Sequence, residues 1–222
     1  MCFGGLLLTQ SRGFWLAFAF GAAFLFAVVD RRRKGRLLAL GAGAAVAVVA
    51  VGAAVSSDFV RLLAETLSDR LLSVRGSLSR DASLVGRLYE ARGVLAGIAE
   101  NPVLGHGLGV PFTFVDVLSR TTGTSTFTHN GYLSLWYRFG VVGTALVVYW
   151  WGRSVACGLR AYADRAAPDA LRLAGLGAAA ALVAFTLSAL SSNPFWHKDS
   201  LFGFAYLSAL ACGARARVES ST

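Results

Sequence analysis

Long apolar runs alternate with short charged ones along this chain, and the runs come in membrane lengths. Phe14 to Val29 is apolar and stops at Asp30-Arg31-Arg32-Arg33-Lys34-Gly35-Arg36. Leu37 to Val55 follows, rich in Ala, Val and Gly, small residues that let membrane helices approach closely. Tyr132 to Trp151, Leu171 to Leu190 and Leu201 to Gly213 are three further apolar segments. Arg138 interrupts the first of these, Tyr149-Trp150-Trp151 closes it as an interfacial belt, and the last is short enough to need local bilayer thinning. A crossing helix needs roughly 20 residues, so the pattern predicts an all-α, polytopic membrane helical bundle of about five spans. Met1 to Thr9 is apolar but too short to cross, and reads as the tail of a further, partial helix or a short re-entrant piece.

Between the second and third spans the periodicity changes. Residues 56–131 form a mixed stretch of 76 residues with seven basic and seven acidic side chains, the composition of an aqueous loop. Phe59, Leu62, Leu63, Leu67, Leu71 and Val74 recur at helical spacing, as do Leu84, Leu88, Ala91, Leu95 and Ile98, so two amphipathic helices are expected, over Asp58 to Val74 and Leu84 to Ile98. The second stops at Glu100-Asn101-Pro102, and Gly105-His106-Gly107-Leu108-Gly109 reads as a turn. Val110 to Phe127 carries no readable motif. The organisation is therefore membrane helices over 1–55, a long helical loop over 56–131, membrane helices over 132–213 and a polar tail over 214–222.

Composition then narrows the class. With 55% hydrophobic residues, an ordinary soluble domain is excluded. A net charge of +9 would raise nucleic acid as a partner in a soluble protein, but here the charge sits in alternate loops. The segment at 30–36 holds five Lys/Arg, that at 152–172 holds Arg153, Arg160, Arg165 and Arg172, and the tail holds Arg215 and Arg217. The short loop at 191–200 has only Lys198, and the 76-residue loop is too long to count. The basic loops are thus read as cytoplasmic and the long loop as extracytoplasmic, with no role for nucleic acid. Cys2, Cys157 and Cys212 have neither metal-ligand nor redox spacing.

The candidate chemistry gathers where the long loop meets the third span. Thr126-Phe127-Thr128-His129-Asn130-Gly131-Tyr132 places an imidazole and a carboxamide at the membrane face, where a histidine is easy to hydrate and able to take a proton from a hydroxyl. Arg12 heads the first span at its outer end; an arginine at membrane depth costs about 2.5 to 3.5 kcal/mol and less at the interface, so it either snorkels or meets an anion. Arg87 lies on the predicted helix with Glu90 three residues on, and alone reads as a surface pair with it. His106, in its glycine turn, and His197, beside Trp196, read as structural. No paired-carboxylate or Asp-x-Asp arrangement is present, so neither metal nor cofactor is expected.

Five features in order form a pattern: Ser11-Arg12-Gly13 at the head of a span, an arginine before a loop helix, Asn101-Pro102-Val103-Leu104-Gly105-His106-Gly107-Leu108-Gly109, then His129-Asn130-Gly131-Tyr132-Leu133, and Phe139-Gly140-Val141-Val142-Gly143. This order resembles the O-antigen ligase and O-antigen polymerase family over most of residues 7–145. The resemblance implies a multi-pass protein of the bacterial inner membrane that moves a glycan from an undecaprenyl diphosphate carrier to a glycan or lipid acceptor hydroxyl at the outer face, without a metal. It implies Arg12 and Arg87 as partners of the diphosphate and His129 as the base or acceptor-orienting group; Asn130, His106 and Arg138, beside these positions in the sequence, are further candidate substrate contacts. The chain departs from the family where Glu90 and Ala91 replace an aromatic after the loop arginine, and where Arg138 replaces an acidic residue. Two other readings share these features. One is a glycan or lipid transporter component, which intramembrane arginines favour and the lack of a repeated pair of broken spans disfavours; the other is a truncated, inactive family member, because five spans are few.

Overall fold

The computed structural model describes residues 12–55, 58, 61, 65, 68, 82–116 and 121–219. Helices occupy all five apolar segments: α1 (Arg12–Val28), α2 (Arg31–Val55), α4 (Gly131–Ala163), α5 (Asp169–Ser191) and α6 (Lys198–Glu219), with α3 (Ala82–Glu100) in the long loop. Three of them, over Arg31–Ala54, Gly131–Ala163 and Asp169–Ser191, are long and apolar enough to cross a membrane. Among the described residues, three of the five expected spans meet that measure. The apolar helix Gly13–Val28 is shorter than those three, and α6 carries charge at both ends, Lys198 and Asp199 at its start and Arg215 and Arg217 near its finish. The apolar start of the chain and most of the helix expected over Asp58 to Val74 lie outside the described residues.

The bundle is built around α5, which packs against α1, α4 and α6. Glycine makes the close approaches. A β-carbon on Gly175 would come within 2.9 Å of the Gly158 carbonyl oxygen, and one on Gly21 within 2.7 Å of the Ala184 β-carbon. These contacts also fix direction: α1 runs antiparallel to α5, with Gly21 against Ala184 and Val29 packed with Leu176. The start of α1 therefore lies at the C-terminal end of α5. By contrast α2, where the small-residue run suggested close packing, has only 6% of its apolar window buried.

At the end of the bundle nearest α4's N-terminus, Trp151, Leu182, Ala189 and Phe204 form a core with Tyr132, Phe185 and Phe195 against it. Trp151 is not part of an interfacial belt: it is buried, and its indole N–H donates to the Leu182 carbonyl at 3.1 Å. The basic stretch expected as loop from Gly152 is helical as far as Ala163, because the true break in α4 comes earlier.

That break is at Gly140, whose backbone leaves the helix at φ 62° and ψ −174°. Only glycine adopts this without strain, and a β-carbon there would strike the Val103 carbonyl. The freed groups are taken by the Asn101–Gly107 turn. His106 N–H donates to Tyr137 O at 2.8 Å, Gly107 N–H to Arg138 O at 2.9 Å, and Val141 N–H to Pro102 O at 2.9 Å. The Trp136 indole adds a bond to the same Pro102 oxygen at 3.0 Å. Backbone left open near a membrane must be satisfied by protein, and the glycines at 105 and 107, both at positive φ, let the turn enter the gap. After Gly140 the helix runs unbroken to Ala163, roughly 35 Å at 1.5 Å per residue.

The expectation of an all-α loop is corrected by a hairpin. Phe112–Asp116 (β1) and Thr121–Ser125 (β2) pair antiparallel, with Phe112 opposite Ser125 and Asp116 opposite Thr121. Two strands alone are marginal. This pair is held because Phe112 and Phe114, two residues apart and so on one face, pack with Val94 and Ile98 of α3 and Tyr137 of α4. The fold is thus mostly helical, with α3 clamped between a hairpin and the head of α4.

Candidate active site

The hairpin delivers the chain directly to His129, and every residue from Thr126 to Gly131 is tied down. The Thr126 carbonyl accepts from Arg138 Nη2 at 2.6 Å. Phe127 N–H donates to Ser125 Oγ at 2.9 Å, and the Phe127 ring stands edge-on to the His129 ring at 4.9 Å. Asn130 caps α4: its Oδ1 accepts from the backbone N–H groups of Tyr132 and Leu133, both at 3.0 Å. Its Nδ2 donates to the Leu190 carbonyl at 3.2 Å, and Gly131 N–H donates to Ser192 O at 3.1 Å, which fastens the head of α4 to the end of α5.

His129 is held by a single carboxylate twice over. Its backbone N–H donates to Glu90 Oε1 at 2.6 Å, and its Nδ1 lies 2.8 Å from Glu90 Oε2. A carboxylate only accepts, so in the neutral ring the proton sits on Nδ1 and Nε2 keeps its lone pair. The glutamate side chain is 12% exposed and the histidine 44%, so the pair has a buried side and an open side. A fixed tautomer on a part-exposed imidazole is an arrangement that can serve as an oriented general base.

Spacing along the helix pairs Glu90 with Arg87, and the structure corrects that pairing. Glu90 turns to His129, 39 residues further along. Arg87, one turn earlier on α3, instead donates from Nη1 to the Ser191 carbonyl at 3.2 Å. Arg87 and Asn130 thus bond to consecutive carbonyls, Ser191 and Leu190, at the C-terminal end of α5. The same end receives the start of α1, so Arg12 begins its helix at the end of the bundle that holds His129; its side chain is outside the described residues.

The remaining candidates divide. Arg138 lies at the edge of this cluster, with its guanidinium 4.5 Å over the Trp196 ring and bonded to the His129 loop. His106 is placed elsewhere: its Nε2 lies 2.7 Å from the Gly97 carbonyl and its ring stacks on Tyr137 at 4.6 Å, so it fixes the turn that fills the break in α4. His197 is exposed, with its ring 6.3 Å from Phe127. Asn193 was not singled out from the sequence. It is fully buried, and neither atom of its amide has a partner among the described residues.

The family model described as O-antigen ligase matches residues 1–148. The chain belongs to the O-antigen ligase family. The match takes in α1, α3, the hairpin, His129 and the Gly140 break, and it stops inside α4. No curated protein and no solved structure matches the chain. Family membership assigns the chain, in general terms, to the membrane proteins that ligate or polymerise glycans. Two of the five short motifs, the Asn101–Gly109 turn and the Gly140 stretch, are interlocked by hydrogen bonds, and the His129 stretch heads the helix that they break.

Proposed function

We propose that the chain is a membrane glycosyltransferase that moves a glycan from an undecaprenyl diphosphate carrier to an acceptor hydroxyl at the outer face of the inner membrane. The observation that carries this reading is the Glu90-oriented imidazole of His129, with Arg87 one helical turn away from its partner. In this scheme Nε2 of His129 takes the proton of the acceptor hydroxyl as its oxygen attacks the anomeric carbon. The bond from that carbon to the diphosphate oxygen breaks, and the electron pair leaves with the diphosphate. Glu90 stabilises the imidazolium that forms, as a buried carboxylate does for a histidine base. Arg87, with Arg12 from the head of α1, neutralises charge growing on the leaving group; planar guanidinium forks match phosphate oxygens, and such preorganised charge lowers the barrier without magnesium. Arg138 and Asn130 flank the acceptor side, and His106 holds the loop beneath it. A single displacement inverts the anomeric centre.

The basic loops face the cytoplasm in this reading, which leaves His129 outside. The experiment is transfer of glycan from the lipid-linked donor in membranes carrying the wild type, His129→Ala or Arg87→Ala. Each variant is expected to lose at least about 10²-fold in rate, the usual contribution of a general base or of one charge-stabilising donor, while inserting normally. Wild-type rates in either variant would remove that residue from the mechanism, and retention of anomeric configuration in the product would refute the single displacement.

A further inference from the structure

At the end of the bundle away from His129, a cavity of about 470 Å³ is lined by Asp30, Arg31, Arg32, Arg33, Arg165 and Arg172. The arginines come from three separate places: the α1–α2 turn and first residues of α2, the α4–α5 loop, and the first turn of α5. Two of them are framework. Arg33 Nη2 donates to Asp169 Oδ2 at 2.7 Å, and Arg172 reaches Asp169 Oδ1 at 3.2 Å, Asp30 Oδ2 at 3.7 Å and the Tyr162 carbonyl at 3.0 Å. Asp30 is itself anchored by its backbone N–H on the Tyr162 hydroxyl at 2.9 Å. Arg31, Arg32 and Arg165 are exposed and have no carboxylate partner among the described residues. Five guanidiniums against the carboxylates of Asp30 and Asp169 leave three positive charges uncompensated at one cavity.

The backbone adds to this charge. Both α2 and α5 begin here; α5 carries Asp169 in its first turn, already bonded to Arg33 and Arg172, whereas the first turn of α2 has no acidic residue and its positive end meets only basic side chains within that turn. Basic residues at a helix start are electrostatically unfavourable unless an anion sits among them. A topology signal needs basic residues in a loop but not their convergence from three loops and helix starts on a walled cavity. Membrane-length helices start at Arg31 and Asp169, which puts the cavity at headgroup level.

We propose that this cavity binds the phosphate of an anionic phospholipid headgroup, with Arg31, Arg32 and Arg165 closing on its oxygens while Arg33 and Arg172 hold the frame. Basic recesses between membrane helices have the charge and shape for such headgroups, and the volume falls within the range of small-ligand sites. Occupation would brace the α1–α2 turn and the start of α2 against the α4–α5 loop and the start of α5. This inference stands whether or not the proposed transfer reaction is correct.

The test uses the purified full chain in neutral detergent, with phosphatidylglycerol, phosphatidylcholine or inorganic phosphate as probes. Native mass spectrometry reads retained lipid, and thermal unfolding reads stabilisation by a ligand that binds only the folded state. Phosphatidylglycerol is expected to remain bound and to raise the melting temperature by several degrees where phosphatidylcholine does not. Arg165→Gln, which leaves the 30–36 segment intact, and Arg31→Lys with Arg32→Lys, which keeps its charge but loses the forked donors, should each weaken retention about tenfold. Equal stabilisation by phosphatidylcholine, or wild-type retention in both variants, would overturn the site. The same shift from inorganic phosphate alone at matched concentration would overturn the lipid as its occupant.

Discussion

Replacing Glu90 by glutamine changes no heavy-atom count and removes one charge, so Glu90→Gln isolates what the carboxylate does for His129. In the wild type both oxygens accept, at 2.6 Å from the backbone N–H and 2.8 Å from Nδ1. A carboxamide has one acceptor and one donor. If its oxygen keeps the backbone N–H, its NH2 group faces Nδ1, which must then accept, and the ring proton moves to Nε2. The nitrogen aimed at the acceptor hydroxyl can then no longer take a proton. Loss of general-base action is worth about 10²- to 10⁴-fold, and the analogous carboxylate-to-amide change in serine proteases lies near the upper bound. Because the histidine side chain is 44% exposed, water can substitute in part, and we expect a loss of about 10²-fold, close to 2.7 kcal/mol at 1.36 kcal/mol per tenfold. The assay is initial rate against donor concentration in membranes or proteoliposomes, with protein level and thermal unfolding measured alongside. The loss should fall on kcat, with KM for the lipid-linked donor little changed, since Glu90 touches neither substrate. A variant that keeps the wild-type kcat, or loses rate only through a higher KM or poor folding, would show that the pair is structural.

Two further outcomes test the frame. Gly140→Ala forces a side chain into positive φ and onto the Val103 carbonyl; a non-glycine residue in that region costs about 1–3 kcal/mol before any clash. Unfolding in detergent should therefore occur at a clearly lower temperature, and an unchanged melting curve would mean that the break is not held as described. Asn130→Ala removes the cap of α4 and its tie to Leu190, a loss of about 0.5–2 kcal/mol for the cap. Asn130→Asp, which can still cap, should recover most of the stability, and equal loss in both would refute the capping role.

How much of this could be read from the sequence depends on how local each feature is. The α3 helix and the turn after it were legible because periodicity and glycine spacing are local signals, and the position of His129 just before α4 was legible because the chain there passes from polar to apolar. The hairpin was not: Phe-Thr-Phe-Val-Asp is too short an alternation, and Thr-Thr-Gly-Thr-Ser has no apolar face at all. Its strands exist because Phe112 and Phe114 find α3 and Tyr137, partners brought by the fold. Glu90 was misread for the same reason. Spacing ranks Arg87 as its neighbour, whereas the actual partner is 39 residues away. In α4 the arginine at 138 drew notice as an interruption, yet the interruption is the glycine two residues later, which a composition scan treats as ordinary in a membrane helix.

The joint at Gly140 also limits how this protein can be recombined. Four hydrogen bonds cross from the turn after α3 to the broken helix, and each would be stranded if one side were exchanged without the other. Chimaeras with a related ligase should therefore be cut before residue 82 or beyond residue 145, so that the stretch travels whole. A swap boundary placed at the more obvious point, the head of α4, would divide a mortise from its tenon.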